Sequence, residues 1–135
     1  MDKLTPARRS ANMRAIRSKD TKPEMLVRRA VHALGFRYRL HRRDLPGRPD
    51  LAFIGRRKAI FVHGCFWHHH EGCRRSAFPT TRAEFWRQKI EKNSKRDADV
   101  IMKIAALGWT PVVVWECQTK RLEELTALLE KEMSA

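Results

Sequence analysis

Apolar residues recur along this chain with two different periods, and the switches between them mark its elements. Leu26, Val27, Ala30, Val31 and Leu34 fall at helical spacing. Thr21-Lys22-Pro23-Glu24 before them has the spacing of a capping box with proline in the first turn, and Gly35 after them is a stop. Residues 36–40 read as a strand, and Leu45-Pro46-Gly47-Arg48-Pro49 reads as a turn. Residues 50–54 and 58–62, parted by Gly55-Arg56-Arg57, read as a hairpin whose strands carry Asp50 and His63. Thr81-Arg82-Ala83-Glu84 repeats the capping-box spacing and opens a long helix ending near Leu107-Gly108. The apolar run over residues 109–115, with Val112, Val113 and Val114, predicts a fully buried strand. Leu122, Leu125, Leu128, Leu129 and Met133 then define an amphipathic closing helix. This order predicts an α/β domain with a mixed β-sheet flanked by helices. No internal repeat interrupts it.

A chain of 135 residues suits one hydrophobic core. Charge narrows the partner: 29 Lys and Arg against 15 Asp and Glu leave +14, which calls for a polyanion, DNA or RNA first. An anionic membrane competes poorly, since no apolar run approaches the ~20 residues of a spanning helix. The N-terminus has no signal-peptide hydrophobic region, so a soluble, intracellular protein is expected. Residues 1–20, with Arg8, Arg9, Arg14, Arg17 and Lys19, read as a basic arm that orders against a partner, and residues 21–135 as the folded domain. The almost wholly polar stretch over residues 89–99 is expected to face solvent or nucleic acid.

The densest chemistry is His63-Gly64-Cys65-Phe66-Trp67-His68-His69-His70-Glu71-Gly72-Cys73. In a reducing compartment three cysteines are better metal ligands than disulfides. Cys65, His70, Cys73 and Cys117 supply the four soft or borderline donors of a closed structural zinc site, which would pin an irregular loop to the end of a core strand. Spacing leaves open which of His68, His69 and His70 ligates, and a buried thiol at Cys117 beside surface histidines is the competing account. His63 and His68 are candidates for general base or acid in phosphodiester hydrolysis, against a plain structural role for either.

These residues, with Leu45 to Asp50, Thr81-Arg82-Ala83-Glu84-Phe85-Trp86, Arg96-Asp97, Gly108-Trp109 and Trp115-Glu116-Cys117, resemble the very short patch repair (Vsr) endonucleases over residues 10–117. The resemblance implies a restriction-endonuclease-like domain and a structural zinc. It also implies a magnesium-dependent nick on the 5′ side of the thymine in a T:G mispair, the lesion left when 5-methylcytosine deaminates. It gives Asp50 as the catalytic aspartate that binds Mg2+, as a hard carboxylate suits. Val62 stands where the family carries threonine; if the main-chain carbonyl is what binds Mg2+, valine serves as well. His63 and His68 resemble the catalytic histidines, and Glu24 the carboxylate that holds water at the magnesium, although Glu24 also fits the capping box. Asp97 would orient a histidine, with a helical salt bridge as its alternative. Glu71-Gly72 lengthens the loop by one residue relative to the family pattern.

For DNA, the resemblance makes Phe66 and Trp67 a wedge between base pairs, with Met13 inserting from the minor-groove side. Lys89 and Asn93 would reach the mismatched bases, while Lys92, Lys95 and Arg96 suit phosphates. The expected partner is double-stranded DNA with a T:G mismatch, bound by a monomer in the cytoplasm of a prokaryotic-type cell, at the nucleoid, with mismatch-repair proteins as candidate partners. The competing function is a non-catalytic, zinc-stabilised DNA-binding protein. A nucleobase deaminase would need an open zinc position, which four protein ligands do not leave.

Overall fold

Thr21 opens the first helix, α1 (Lys22–Ala33), as expected: its Oγ1 accepts the Glu24 N–H at 3.4 Å, with Pro23 in the first turn. The computed structural model describes residues 21–77 and 79–134, so the expected arm and Met13 lie outside the described residues. α1 ends where Gly35 takes φ +86, letting its N–H reach the His32 carbonyl at 3.0 Å and Phe36 N–H the Val31 carbonyl at 3.2 Å.

Among the described residues the sheet has four strands in the order β1 (Arg39–Leu40), β2 (Leu51–Phe53), β3 (Lys58–His63) and β4 (Thr110–Trp115). The first two pairings are antiparallel and β3 pairs with β4 in parallel, so the sheet is mixed. The antiparallel hairpin needs only a tight turn. The parallel pair needs a long crossover, which carries the cysteine–histidine loop and the second helix, α2 (Ala83–Ala106). β1 is only two residues long, shorter than expected, and Asp50 sits one residue before β2 rather than on it.

Strand alternation sorts the core into two layers. Leu51, Phe53, Ile60, Val112 and Val114 face α1 and the closing helix, α3 (Leu122–Ser134), meeting Val27, Val31, Leu125, Leu129 and Met133. Ala52, Ala59 and Phe61 face the other way, toward Leu45 and Ile104, with Val100, Ile101 and Trp109 against them. Each large apolar side chain buried this way contributes about 1.5–3 kcal/mol. Arg56 Nη1 donates to the Met133 carbonyl at 3.2 Å, and the Lys58 ammonium donates to the Glu132 carbonyl. The hairpin thus supplies two cations to the negative end of α3.

Three further expectations need correction. The Thr81 capping box does not form: α2 starts at Ala83 after Arg82, whose φ is +57, and no side chain caps it. β4 is not fully buried, because Thr110 is exposed and Val113 half-buried; among the described strands it lies at the sheet's edge. Leu122 is 65% exposed, so the buried stripe of α3 is Leu125, Leu129 and Met133.

Candidate active site

The turn over residues 45–49 determines where Asp50 falls. Gly47 has φ +73, and a Cβ there would lie 2.3 Å from Val100 Cγ1, so α2 packs directly on the turn's backbone. Leu45 and Pro49 are buried beneath it. Asp50 Oδ2 then accepts the Val62 N–H at 2.7 Å. Val62's side chain packs against the cluster beneath α1 and α3.

Asp50 has two close neighbours from other elements. Glu24, only 3% exposed, comes from the first turn of α1, and its Oε2 lies 3.3 Å from Arg28 Nη2. His41 follows β1 and lies 3.4 Å from Glu24 Oε1 and 3.9 Å from Asp50 Oδ1. Burial, together with the hydrogen bond to Glu24, pushes the Asp50 carboxyl up to about 8, against the opposing pull of the Val62 N–H. Two carboxyl groups this close and this buried are a donor set that favours a bound cation. Glu24, His41 and Asp50 each offer a ligand atom within 4.8 Å of the others.

A second cluster lines the same cleft. His63 ends β3, and its ring stacks on His68 with centroids 3.9 Å apart and planes 8° from parallel. His68 Nδ1 lies 2.6 Å from Asp97 Oδ2 on α2. Burial, and next the charge on His68, lowers His63 to about 4, so it is neutral near neutrality. Both clusters line one open cleft of about 1180 Å³, together with Lys89, Asn93 and Arg96.

The three consecutive histidines separate by backbone. His69 has φ +52, which turns His68 toward Asp97 and His70 toward the cysteines. His70 Nδ1 is 3.4 Å from Cys117 Sγ and 3.7 Å from Cys65 Sγ, and its ring stacks on Trp115 with centroids 4.3 Å apart. Cys65, His70, Cys73 and Cys117 present donors within 4.8 Å of one another, a cluster that can hold a metal ion. Burial, with the thiols of Cys117 and Cys73 close by, raises the Cys65 thiol to about 12. The cluster ties the loop to the segment after β4, and Cys65 N–H also reaches Glu116 Oε1 at 3.4 Å.

Phe66 and Trp67 are half-buried and contact Trp86 edge-on, at 5.4 and 5.6 Å between centroids. Asn93 Nδ2 donates to the Trp67 carbonyl at 3.1 Å, and Lys89 Nζ lies 5.9 Å from the Trp67 ring. Lys92, Lys95 and Arg96 are exposed on the same helix.

The structure thus brings together Asp50, Glu24, Val62, His63, His68 and Asp97, and separately the four cysteine–histidine donors. Three site residues escaped the sequence reading. His41 reaches Glu24 only through the β1–β2 pairing, whereas Arg28 stands four residues after Glu24 on α1. Trp86 joins Phe66 and Trp67 from a distant helix. The sequence signals for them were the four-residue spacing of Glu24 and Arg28 on one helix and Trp86's place in a tripeptide with Glu84 and Phe85 at a helix start.

Residues 1–75 match a family model described as DNA mismatch endonuclease Vsr. The chain is 49% identical over 128 residues to a protein of Xanthomonas oryzae pv. oryzae named type II nicking enzyme V.XorIIP, covering 95% of this chain and 93% of that protein. It is 45% identical over 127 residues to the DNA mismatch endonuclease Vsr of Escherichia coli, covering 93% and 81%. It is 40% identical over 119 residues to type II nicking enzyme V.NmeAIP of Neisseria meningitidis, covering 88% and 84%.

Proposed function

Since the chain belongs to the DNA mismatch endonuclease Vsr family, we propose that it nicks duplex DNA 5′ to the thymine of a T:G mispair, initiating very short patch repair. The observation that carries this reading is the shared cleft, which an aspartate–glutamate pair and a histidine pair line together with basic and aromatic side chains.

The carboxylates of Asp50 and Glu24 fit a hard divalent cation, and Mg2+ is our assignment, with the Val62 carbonyl as a further ligand. Such an ion supplies charge neutralisation at the scissile phosphate. The Val62 side chain packs into the core, so the valine in place of the family's threonine leaves main-chain roles intact. Glu24, held by Arg28, orients the attacking water. His63, kept neutral by burial, accepts a proton from it. Asp97 takes the Nδ1 proton side of His68, which leaves Nε2 as that ring's exchanging nitrogen.

Cys65, His70, Cys73 and Cys117 suit a structural zinc, because three thiolates and one imidazole would supply the four soft or borderline donors such an ion takes. Mixed-sheet topology with helices on both faces supports a restriction-endonuclease-like catalytic domain. The aromatic group Phe66, Trp67 and Trp86 serves as the wedge, with Met13 of the basic arm inserting from the other groove. Lys89 and Asn93 read the mispair. The protein acts as a monomer on cytoplasmic, nucleoid DNA, alongside other mismatch-repair proteins; none of its described helices is long and apolar enough to cross a membrane.

The test is a nicking assay on end-labelled duplexes holding one T:G pair or its T:A counterpart, with Mg2+ or EDTA and with Asp50→Ala. A Mg2+-dependent cut 5′ to the thymine of the T:G duplex alone is the expected result. Tight binding without cleavage, in every flanking context tried, would instead favour a non-catalytic DNA-binding protein.

A further inference from the structure

His41 is the one member of the first cluster to which the roles above give no task. It holds left-handed backbone, φ +47, a region that residues other than glycine enter rarely and at a cost on the order of 1 kcal/mol. Its N–H meets the Asp50 carbonyl at 3.4 Å, and the turn swings its imidazole over both carboxylates, where the side chain is 17% exposed.

The two ring nitrogens face different partners. Nε2 lies 3.4 Å from Glu24 Oε1 and 3.2 Å from Arg28 Nη2. Nδ1 lies 3.9 Å from Asp50 Oδ1. That separation is too long for a hydrogen bond. It does fit two donors on one small ion, which at bond lengths of roughly 2.0–2.2 Å stand no more than about 4.4 Å apart. A carboxylate taking the second N–H of an imidazole is also how metal-bound histidines are held in place.

We propose that His41 is a ligand of the same divalent cation as Asp50, binding through Nδ1 while Glu24 accepts the Nε2 proton. The inference rests on the reading that Asp50 holds a cation. Arg28 offsets only one of the two carboxylate charges, and a neutral imidazole adds a donor without adding charge. Without the ion the ring takes the other tautomer: Arg28, which can only donate, faces Nε2, and Nδ1–H faces Asp50. Loading the ion leaves Arg28 on Glu24 Oε2 and moves the imidazole proton to Nε2. An imidazole among oxygen donors also shifts preference from Mg2+ toward Mn2+ and Co2+.

The experiment adds Mn2+ to the zinc-loaded, full-length protein and reads the nitrogen coupling of a coordinated imidazole by pulsed electron paramagnetic resonance, with Mn2+ affinity measured alongside. The expected result is a coupling that disappears in His41→Gln, persists in His68→Gln, and is accompanied by Mn2+ binding weakened about tenfold or more in His41→Gln. A coupling lost in His68→Gln and retained in His41→Gln would assign the imidazole to the other cluster and overturn the proposal. Tight Mn2+ binding that needs Asp50 but shows no nitrogen coupling would also overturn it, leaving the cation at Asp50 intact. Mn2+ binding unaffected by Asp50→Ala would remove the cation reading itself, and this inference with it.

Discussion

His63 and His68 lie ring on ring, 3.9 Å between centroids and 8° from parallel, yet Asp97 hydrogen-bonds His68, through Nδ1 at 2.6 Å. Two imidazoles this close cannot both carry charge cheaply. Asp97 holds His68 in place through Nδ1, and burial keeps His63 neutral. A neutral imidazole stacked on a ring that a carboxylate holds by its other nitrogen is equipped to accept a proton in the cleft.

Replacing Asp97 with Asn keeps the shape of that contact and removes the charge. Single-turnover nicking of a T:G duplex by Asp97→Asn should fall about 10–100-fold, with DNA affinity unchanged. An unchanged rate would show the Asp97–His68 contact to be a surface ion pair only.

The lowered pKa of His63 carries a stability consequence of definite sign. The unfolded imidazole takes up a proton near 6.5, whereas the folded one resists until about 4. Between those values the unfolded chain binds more protons, so stability is lost as pH falls from about 6.5 toward 4, by about 3 kcal/mol at most. Urea unfolding at pH 7, 6 and 5 should show a steeper decline for the wild type than for His63→Gln. Parallel curves would mean that His63 is protonated in the folded state as readily as in the unfolded one.

Gly47 links fold to site. Ala there meets two obstacles: a φ of +73 and Val100 Cγ1 at 2.3 Å from the new Cβ. The strain alone costs on the order of 1 kcal/mol, and relieving the contact must move either α2 or the turn that leads into Asp50. Gly47→Ala should lower both the melting temperature and kcat, and Gly47→Ala with Val100→Ala should recover part of each. Activity lost without recovery in the double variant would point to the φ strain rather than the contact.

The elements most legible beforehand were those whose signal is local. α1, the β2–β3 hairpin and α3 followed from periodicity, turn residues and, for α1, the Thr21 cap. Cys65, His70, Cys73 and Cys117 also converged as expected, because their residue types already limited what they could do. What escaped was non-local. His41 is an ordinary polar residue until two strand pairs place it against Asp50. Thr81 had the right spacing but no helix to cap, since Arg82 in left-handed backbone starts α2 instead. β4 looked fully buried because its valines are apolar, yet an edge strand offers one face to the site, where Trp115 meets His63 and His70.

The cysteine–histidine cluster predicts one zinc per chain. Cys117 is the only one of its donors outside the loop, so Cys117→Ser removes the metal-mediated tie between that loop and the segment after β4. The variant should lose zinc and melt well below the wild type, and a strong chelator should do the same to the wild type. Elemental analysis with thermal melts reads both. A metal-free wild type of unchanged melting temperature would sink the assignment.

Trp86 provides the sharpest test of the wedge. Its ring braces Phe66 and Trp67 at 5.4 and 5.6 Å, and Asn93 fixes the same loop by its bond to the Trp67 carbonyl. Removing Trp86 leaves the cation clusters and the exposed Lys92 and Lys95 untouched, so affinity for matched DNA, which phosphate contacts dominate, should change little. Affinity for the T:G duplex should fall by about 1–3 kcal/mol, the range of an aromatic stacking contact to a base. Binding of both duplexes to Trp86→Ala, with 2-aminopurine beside the mispair reporting unstacking, separates the two effects. Equal losses on matched and mismatched DNA would make the aromatic group a core and not a wedge, because only insertion at a weakly stacked pair draws a distinction between them.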